Sequence, residues 1–276
     1  MRLRSLLFVP GDRPDRMPKA AKSGADALIL DLEDAVASER KEEARKEVAA
    51  FLLVPRIVPV FVRINSDHID RDLEAVIAAR PDGIVLPKAQ GGQALADLDQ
   101  RLTALGDAQT RILPLATETP AAIFALGTYG GVTKRLCGIS WGVEDLSVAV
   151  GAATAREANG HYTPLFETVR GLALFAAHAA NVPAIETIFP SLKDEQGLKA
   201  YAARGYRDGF AGMLAIHPAQ IPIINQAFTP SPEDIAWAKR VTDVFAAHPG
   251  AGVLQADGQM LDAPHLKRAK SILRDT

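Results

Sequence analysis

Eight short apolar runs recur along the chain, and stretches with helical periodicity lie between them. Within a run the apolar residues are nearly continuous, which is typical of parallel strands that are covered on both faces. The runs cover residues 5–11, 27–34, 59–65, 83–89, 111–119, 137–145, 182–189 and 212–218. The intervening periodicity predicts helices over residues 37–53, 69–80, 91–105, 165–180, 194–206 and 219–228.

Eight strand–helix units in one chain predict a (β/α)₈ TIM barrel, which we assign to residues 1–228. A doubly wound open sheet is the structural alternative, but it would usually have fewer strands, and no glycine-rich dinucleotide fingerprint opens the first helix. Residues 229–276 lie outside the repeat. There we expect a helix, a short hairpin with a turn at Asp257–Gly258, and a last helix from about Pro264.

Composition narrows the range of partners. The chain has 31 Lys and Arg against 33 Asp and Glu, for a net charge of −2, and it carries no polybasic segment. We therefore expect neither nucleic acid nor a membrane surface as a partner. The apolar run at the N-terminus is too short for a signal-peptide core, and no run is long enough to span a membrane, so a cytoplasmic protein is expected. A single cysteine, Cys137, excludes an internal disulfide.

Charged residues concentrate where the predicted strands end, which is the face that carries the active site in a barrel of this kind. The segment "ALILDLEDAV" ends in Asp31, Glu33 and Asp34, and the fifth and sixth strands end in Glu118 and Asp145. So many carboxylates at one barrel mouth need protonation, basic partners or a cation. Oxygen ligands without cysteine favour a hard divalent ion, Mg²⁺ or Mn²⁺.

Ordinary salt bridges and helix caps are the alternative explanation for these acids. Arg63 and Lys88, at the ends of the third and fourth strands, can balance some of the charge. Glu118 precedes a Thr-Pro pair that starts a helix, and Asp145 precedes another helix, so each could serve as a cap. Capping does not explain why both acids stand at the ends of adjacent strands.

The chain resembles the citrate lyase beta-subunit-like family, whose relatives include malyl-CoA and citramalyl-CoA lyases. The resemblance is carried, in order along nearly the whole chain, by "RSLLFVPGDRPDRMPKA", "ALILDLEDAV", "VRIN", "GIVLPKA", "ATETPAAI", "WGVEDLS", "AIHPAQI" and "MLDAPHLKRA". It implies a TIM barrel that uses Mg²⁺, assembles as a trimer or hexamer, and cleaves or forms C–C bonds in 3-hydroxyacyl-CoA compounds.

The resemblance also implies roles for individual residues. Glu118 and Asp145 match the metal ligands, and Glu33 and Asp34 match acids that approach metal-bound water. Arg63 matches an arginine that contacts the substrate, and we place Glu144 with Arg63, Glu118 and Asp145 around the substrate. The positions that match contacts to the coenzyme A part of an acyl-CoA are Phe8, Arg13, Lys19, Ile216 and His217.

The C-terminal tail is implied to pack on a neighbouring subunit and to supply Asp262 to its active site. A cap on the helix that begins at Pro264 is the alternative role for this acid. In the implied reaction a 3-hydroxyacyl-CoA such as malyl-CoA or citramalyl-CoA gives acetyl-CoA, or propionyl-CoA in the case of a methylmalyl group, plus glyoxylate or pyruvate. Arg63 would stabilise the thioester enolate, and Asp262 would be the base in the reverse direction.

Three other functions stay open at this point. One is a citrate lyase beta subunit that acts on a carrier-bound citryl group. Another is a class II aldolase that acts on free 2-oxo acids, which Arg13 and Lys19 disfavour because such an enzyme needs no phosphate-binding entrance. The third is a CoA-ester binder without catalytic activity, which the presence of Arg63, Glu118, Asp145 and Asp262 disfavours.

Overall fold

The computed structural model describes residues 2–158, 160–256 and 258–274, so Asp257 of the expected turn lies outside the described residues. The chain divides into two compact units, one made of Leu3–Asn225 and one made of the residues from Gln226 onward. No helix in the described part of the chain is long and apolar enough to cross a membrane.

The first unit is built on eight parallel strands in the order β5-β4-β3-β2-β1-β8-β7-β6. They are β1 (Ser5–Pro10), β2 (Ala27–Asp31), β3 (Val60–Arg63), β4 (Gly83–Leu86), β5 (Arg111–Pro114), β6 (Ile139–Ser140), β7 (Ala184–Glu186) and β8 (Gly212–Ala215). Two parallel bridges, Ile112 to Leu136 and Leu115 to Ser140, join the first and last strands of this order. The predicted (β/α)₈ barrel is therefore confirmed.

Helices alternate with the strands in this unit. They are α1 (Met17–Ala21), α2 (Lys41–Leu52), α3 (Ile69–Val76), α4 (Gly92–Ala104), α5 (Pro120–Ala125), α6 (Glu144–Ala149), α7 (Pro164–Ala179), α8 (Glu195–Asp208) and α9 (Ile221–Ala227). The strands are shorter than the apolar runs that predicted them, because the polar end of each run leaves the sheet and forms a loop. Residues 115–119, for example, follow β5 instead of extending it.

The barrel interior is filled by one large apolar side chain from most of the strands. Its buried core comprises Leu3, Leu6, Ala27, Ile29, Phe61, Val85, Leu113, Leu115, Ile185 and Leu214. Gly83 makes room for the Phe61 ring, since a Cβ at position 83 would lie 2.3 Å from it. The register of β2 and β3 aligns Asp31 with Arg63, so both side chains leave the barrel at its carboxyl end.

The second unit has a small core of its own. It contains α10 (Pro232–Ala247), the antiparallel strands β9 (Val253–Ala256) and β10 (Gln259–Asp262), and α11 (Ala263–Arg274). Ser231 and Asp234 form a capping box at the start of α10. Ala238, Val241, Leu261, Ala269 and Ile272 are buried together. The expected order of helix, hairpin and helix is observed, and packing of this unit on a neighbouring subunit stays a prediction.

Candidate functional site

Asp31 is the anchor of the charged cluster at the barrel mouth. It is the last residue of β2 and is 1 % exposed. Its Oδ1 accepts hydrogen bonds from Arg63 Nε at 2.7 Å and the Glu33 backbone N–H at 2.8 Å. Its Oδ2 accepts from Arg63 Nη2 at 2.6 Å and the Ala35 N–H at 3.1 Å. The bidentate pair fixes the guanidinium plane of Arg63.

Arg63 also contacts the other two acids of the loop that follows β2. Its Nη1 lies 3.1 Å from Glu33 Oε2 and 3.5 Å from Asp34 Oδ2. The guanidinium also stands over the Phe8 ring at 5.0 Å. Burial lowers the pKa of Arg63, but the hydrogen bonds and the attraction of Asp31, Glu33 and Asp34 outweigh it and raise the pKa overall. Arg63 is thus a permanent cation with a defined orientation.

Lys88 is the second cation of the cluster and lies just after β4. Its Nζ donates to Glu33 Oε1 at 2.8 Å and lies 3.1 Å from Asp145 Oδ2. Its backbone N–H donates to Glu118 Oε2 at 2.6 Å. Burial lowers the pKa of Lys88, but the hydrogen bonds and attraction of Glu33 and Asp145 outweigh it and raise the pKa. One residue therefore contacts three acids from three different strand ends.

Glu118 is the most perturbed acid of the cluster. Burial raises its pKa to about 7, the charges of Glu33 and Asp145 act in the same direction, and the Lys88 N–H and Arg63 oppose them. Burial likewise raises the pKa of Glu33. A Cβ at position 142 would lie 2.9 Å from Glu118 Oε1, so Gly142 provides the space that this carboxyl group occupies.

The capping explanation for Glu118 and Asp145 is wrong. Thr119, and not Glu118, caps α5 by accepting a hydrogen bond from the Ala122 N–H. Asp145 lies in the first turn of α6, whose N-cap residue is Val143, and no side chain makes a cap hydrogen bond there. Neither acid is therefore a helix cap, and both contact Lys88 at the barrel mouth instead.

The cluster has more acids than bases. Five carboxylates, Asp31, Glu33, Asp34, Glu118 and Asp145, face three cations, which are Arg63 and Lys88 in direct contact and Lys41 on the backbone of the same loop. Within the described residues no group of three or more His, Cys, Asp and Glu side chains is arranged to hold a metal. Mg²⁺ needs only one or two carboxylates and takes its other ligands from water or substrate. The donor set fits such an ion, with Glu118 and Asp145 as the carboxylates that would hold it.

A cleft of about 500 Å³ lies beside the cluster, between the loops that follow β2 and β3. Glu33, Asp34 and Lys88 line it together with Lys41 and Asn65. Lys41 is not among the residues predicted from the sequence. Its Nζ donates to Leu32 O, Glu33 O and Asn65 Oδ1 at 2.6 to 2.7 Å. Lys41 opens α2, far from any strand end, so no signal in the sequence marks it. It fixes the backbone that carries Glu33.

Other predicted site residues are not joined to this cluster. Within the described part of the chain, no hydrogen bond or ion pair links Arg13, Lys19, Glu144 or His217 to it. Arg13 pairs with Asp15 at 3.1 Å, and Lys19 is exposed on α1. Glu144 is exposed in the first turn of α6.

The two residues after β8 form a local turn. His217 Nδ1 accepts a hydrogen bond from the Ala219 N–H, and the Ile216 N–H donates to Gln220 Oε1 at 2.9 Å. Ile216 is half-buried and His217 is exposed. Both residues thus lie at a strand end, as expected, in a turn that their own contacts define.

Asp262 ends β10 in the second unit. Its Oδ1 lies 2.5 Å from His265 Nδ1 and accepts from the His265 backbone N–H at 3.5 Å. The hydrogen bond from the His265 side chain lowers the pKa of Asp262. This geometry is that of an acid at the start of α11, so Asp262 makes the expected capping contact and is also kept ionised.

Comparison with known proteins places this geometry in a family. A family model described as HpcH/HpaI aldolase/citrate lyase matches residues 4–218. The citrate lyase subunit beta-like protein of Mycobacterium tuberculosis is 35 % identical over 271 residues, which cover 97 % of this chain and 93 % of the relative. A (3S)-malyl-CoA thioesterase of Cereibacter sphaeroides is 34 % identical over 281 residues, which cover 98 % of this chain and 93 % of the relative.

A solved structure agrees with these relatives. The crystal structure of the protein CitE from Mycobacterium tuberculosis, in complex with magnesium, acetoacetate and coenzyme A, matches with a TM-score of 0.84 and 34 % identity. The match covers 99 % of this chain and 98 % of that chain. The chain therefore belongs to the HpcH/HpaI aldolase/citrate lyase family and is a citrate lyase beta-like enzyme of the lyase class.

Proposed function

We propose that this enzyme is a Mg²⁺-dependent lyase that cleaves or forms the C–C bond of a 3-hydroxyacyl-CoA such as malyl-CoA or citramalyl-CoA. Cleavage of malyl-CoA gives acetyl-CoA and glyoxylate, cleavage of citramalyl-CoA gives acetyl-CoA and pyruvate, and cleavage of methylmalyl-CoA would give propionyl-CoA and glyoxylate. One observation carries the proposal: buried Glu118 lies in a surplus of carboxylates, beside an arginine whose orientation is fixed. The similar CitE protein was solved with magnesium, acetoacetate and coenzyme A, which supports the same ligand chemistry here.

Glu118 and Asp145 are the proposed ligands of Mg²⁺, or of Mn²⁺ in its place. A divalent ion bound by these carboxylates supplies a Lewis acid that polarises the oxygens of the oxo-acid half of the substrate. Glu33 and Asp34 orient water at this position. Lys88 keeps Glu118 in place through its backbone N–H.

Arg63 is the proposed group that stabilises the negative oxygen of the thioester enolate. Asp31 holds its Nε and Nη2, so Nη1 is the edge that remains for the acids of the β2 loop and for substrate. A guanidinium fixed in this way needs no reorganisation when negative charge develops. Its planar fork also suits a carboxylate or an enolate better than a lysine ammonium would.

Coenzyme A recognition is assigned to Phe8, Arg13, Lys19, Ile216 and His217. Arg13 and Lys19 are cationic and accessible, and phosphate groups are the natural partners of such side chains. Contacts far from the reacting bond bind ground and transition states alike. Loss of both charges is therefore expected to raise KM for the CoA ester much more than it lowers kcat.

The C-terminal unit is proposed to supply Asp262 to the active site of a neighbouring subunit in a homotrimer or hexamer. The hydrogen bond from His265 lowers the pKa of Asp262 and so weakens it as a base, and loss of that hydrogen bond in the assembled site would restore its basicity. Subunit exchange tests this assignment. An Asp262→Ala chain mixed with an Arg63→Ala chain regains part of its activity if the acid acts in trans, and the mixture stays inactive if it acts in cis.

A relative named (3S)-malyl-CoA thioesterase favours thioester hydrolysis as a second candidate. In that reaction the products are free CoA and the free hydroxy acid, whereas the lyase reaction leaves the thioester intact. The two candidates therefore differ in which bond of the same substrate breaks.

The test is a panel of malyl-CoA, citramalyl-CoA and methylmalyl-CoA, with free citrate and free 2-hydroxy-4-oxo acids for comparison. Glyoxylate or pyruvate, free thiol and acyl-CoA are measured separately in Mg²⁺ and in excess chelator. We expect release of the oxo acid without release of free thiol. This activity should be lost in chelator and in Glu118→Gln. It should be retained in the control variant Glu195→Gln, which changes an exposed acid on α8. Turnover only of free oxo acids would identify an aldolase, and full turnover in chelator would contradict the metal assignment.

A further inference from the structure

Lys88 adopts a backbone conformation that is unusual for its residue type. Its φ is +51°, in the left-handed region that glycine and asparagine prefer. Such a conformation is strained in a residue with a Cβ, and it persists where the surroundings compensate. The compensation here is visible, because the backbone N–H bonds Glu118 Oε2 while the side chain reaches Glu33 and Asp145.

The two halves of Lys88 act on different parts of the acid cluster. The backbone half fixes Glu118, which is 8 % exposed. The side-chain half lies 3.1 Å from Asp145 Oδ2, a buried oxygen, although the two side chains as a whole are 33 % and 37 % exposed. Because the ammonium group stands on a flexible four-carbon side chain, rotation of that side chain can release Asp145 while the backbone N–H stays bonded to Glu118.

Arg63 does not take over this position, because Asp31 holds it by two hydrogen bonds. Lys88 is therefore the cation that lies against Asp145 among the ion pairs of the described residues. A divalent ion held by Asp145 would meet the Lys88 ammonium at the same carboxylate, and two cations at one carboxylate repel each other.

We infer that Lys88 is a tethered counter-ion: its ammonium group holds Asp145 and Glu33 together and competes with the divalent ion for Asp145. This inference rests on the proposed metal site at Glu118 and Asp145. Lys88 is a positioning residue in this account, with two opposed consequences. It stabilises the acid cluster when no metal is bound, and it weakens metal binding, because the ion must displace it.

The test is a Mg²⁺ titration of the full chain by isothermal calorimetry, with melting temperatures measured in chelator and in Mg²⁺. Lys88→Met removes the charge and keeps most of the side chain. Lys88→Gly removes the charge and relaxes the left-handed backbone, so one neutral variant remains if the other folds poorly. Lys88→Arg keeps the charge, and Lys199→Met, an exposed lysine on α8, is the matched control.

We expect both neutral variants to bind Mg²⁺ roughly tenfold more tightly than the unaltered protein, which corresponds to about 1.4 kcal/mol. Their melting temperatures should fall in chelator and should recover in Mg²⁺ by more than that of the unaltered protein does. Lys88→Arg and Lys199→Met should bind Mg²⁺ within about threefold of the unaltered protein, a difference of less than 1 kcal/mol.

Failure of the inference and failure of the proposed function give different results. Unchanged or weaker Mg²⁺ binding in both neutral variants, with binding abolished in Glu118→Gln, would overturn the role of Lys88 and leave the metal site in place. Mg²⁺ binding that Glu118→Gln does not alter, or no binding in any variant, would overturn both.

Discussion

Glu118, after β5, and Glu186, at the end of β7, are both buried glutamates at the carboxyl ends of barrel strands, yet their surroundings differ. Glu186 is 0 % exposed, and its Oε1 accepts from Trp141 Nε1 at 2.6 Å and the Tyr201 hydroxyl at 2.7 Å. Its Oε2 accepts from Arg170 Nε at 2.7 Å. Glu118 has the Lys88 N–H as its hydrogen-bond donor and two other acids among its neighbours.

The difference shows which feature of a buried acid indicates function. Glu186 has donors on both oxygens and an arginine in direct contact, so its charge is compensated within the fold. Glu118 is buried in a field that opposes its ionisation, and the described part of the chain does not supply enough positive charge to balance its neighbours. Both residues are buried, whereas uncompensated charge distinguishes the candidate site from the hydrogen-bonded surroundings of Glu186.

The largest expected effect is on activity in Glu118→Gln. The substitution keeps the shape and the hydrogen bond from Lys88 but removes a charge that the metal requires. We expect kcat/KM to fall roughly 10³-fold, since a catalytic ion supplies several kcal/mol to the transition state. The melting temperature in chelator should not fall, because the substitution removes a carboxylate whose ionisation is disfavoured by burial and by the neighbouring acids. A variant that loses stability and keeps kcat would reverse the contrast with Glu186.

Glu186→Gln should show the opposite pattern. The glutamine still accepts from Trp141 or Tyr201, but Arg170 loses a buried anionic partner and keeps only Asp208, at 2.7 Å. We expect the free energy of unfolding to fall by about 3 kcal/mol, as for other buried pairs that lose one partner. Urea denaturation measures it, and kcat of the folded fraction should be unchanged. A large loss of kcat at full stability would place Glu186 in the active site.

Asp31→Asn tests whether an acid within the cluster is needed to orient Arg63. Asparagine cannot accept both Arg63 hydrogen bonds and both backbone bonds as an anion does, so the guanidinium loses its fixed orientation. We expect kcat to fall about 100-fold with a small change in KM, since misplacement by about 1 Å costs that much.

Asp26→Asn is the matched control for this variant. Asp26 holds Arg4 by two hydrogen bonds of 2.8 and 2.7 Å, just before β2 begins, and so lies at the opposite end of the barrel. Its replacement should lower stability slightly and leave kcat intact. Equal kcat in both variants would show that Arg63 needs no anchor.

The smallest effect concerns pH. Glu118 has a folded pKa of about 7, raised first by burial, against an ordinary value of 4.5. A raised carboxyl pKa means that the folded state binds more protons than the unfolded state between these two values. The contribution of Glu118 to the free energy of unfolding of the metal-free protein is therefore fully present below about pH 4.5. It is lost as the pH rises towards 7, which lowers the free energy of unfolding by on the order of 2 kcal/mol.

Glu118→Gln should flatten this loss in urea denaturation measured in chelator at several pH values between about 4.5 and 7. Lys199→Met serves again as a control that leaves the slope unchanged. An identical pH slope in Glu118→Gln and in the unaltered protein would show that this carboxyl group is not perturbed.

Local sequence was sufficient to predict the architecture and the face of the barrel at which the charged residues gather. Nearly continuous apolar runs specify buried parallel strands, and their polar ends place Asp31, Arg63, Lys88 and Glu118 at one face, because parallel strands share a direction. The boundaries were less accurate, since the polar residues that end each run also leave the sheet. The helix expected over 69–80 shows this, because α3 ends at Val76 and a 3₁₀ turn follows.

Tertiary structure alone decided which charges are paired. Asp31 meets Arg63 because the register of β2 and β3 aligns residues that are 32 positions apart. Glu186 and Glu118 both stand at the polar ends of apolar runs, and only packing gave one of them an arginine and the other a surplus of acids. Charge compensation depends on distance and burial in three dimensions, and the spacing of residues along a chain records neither.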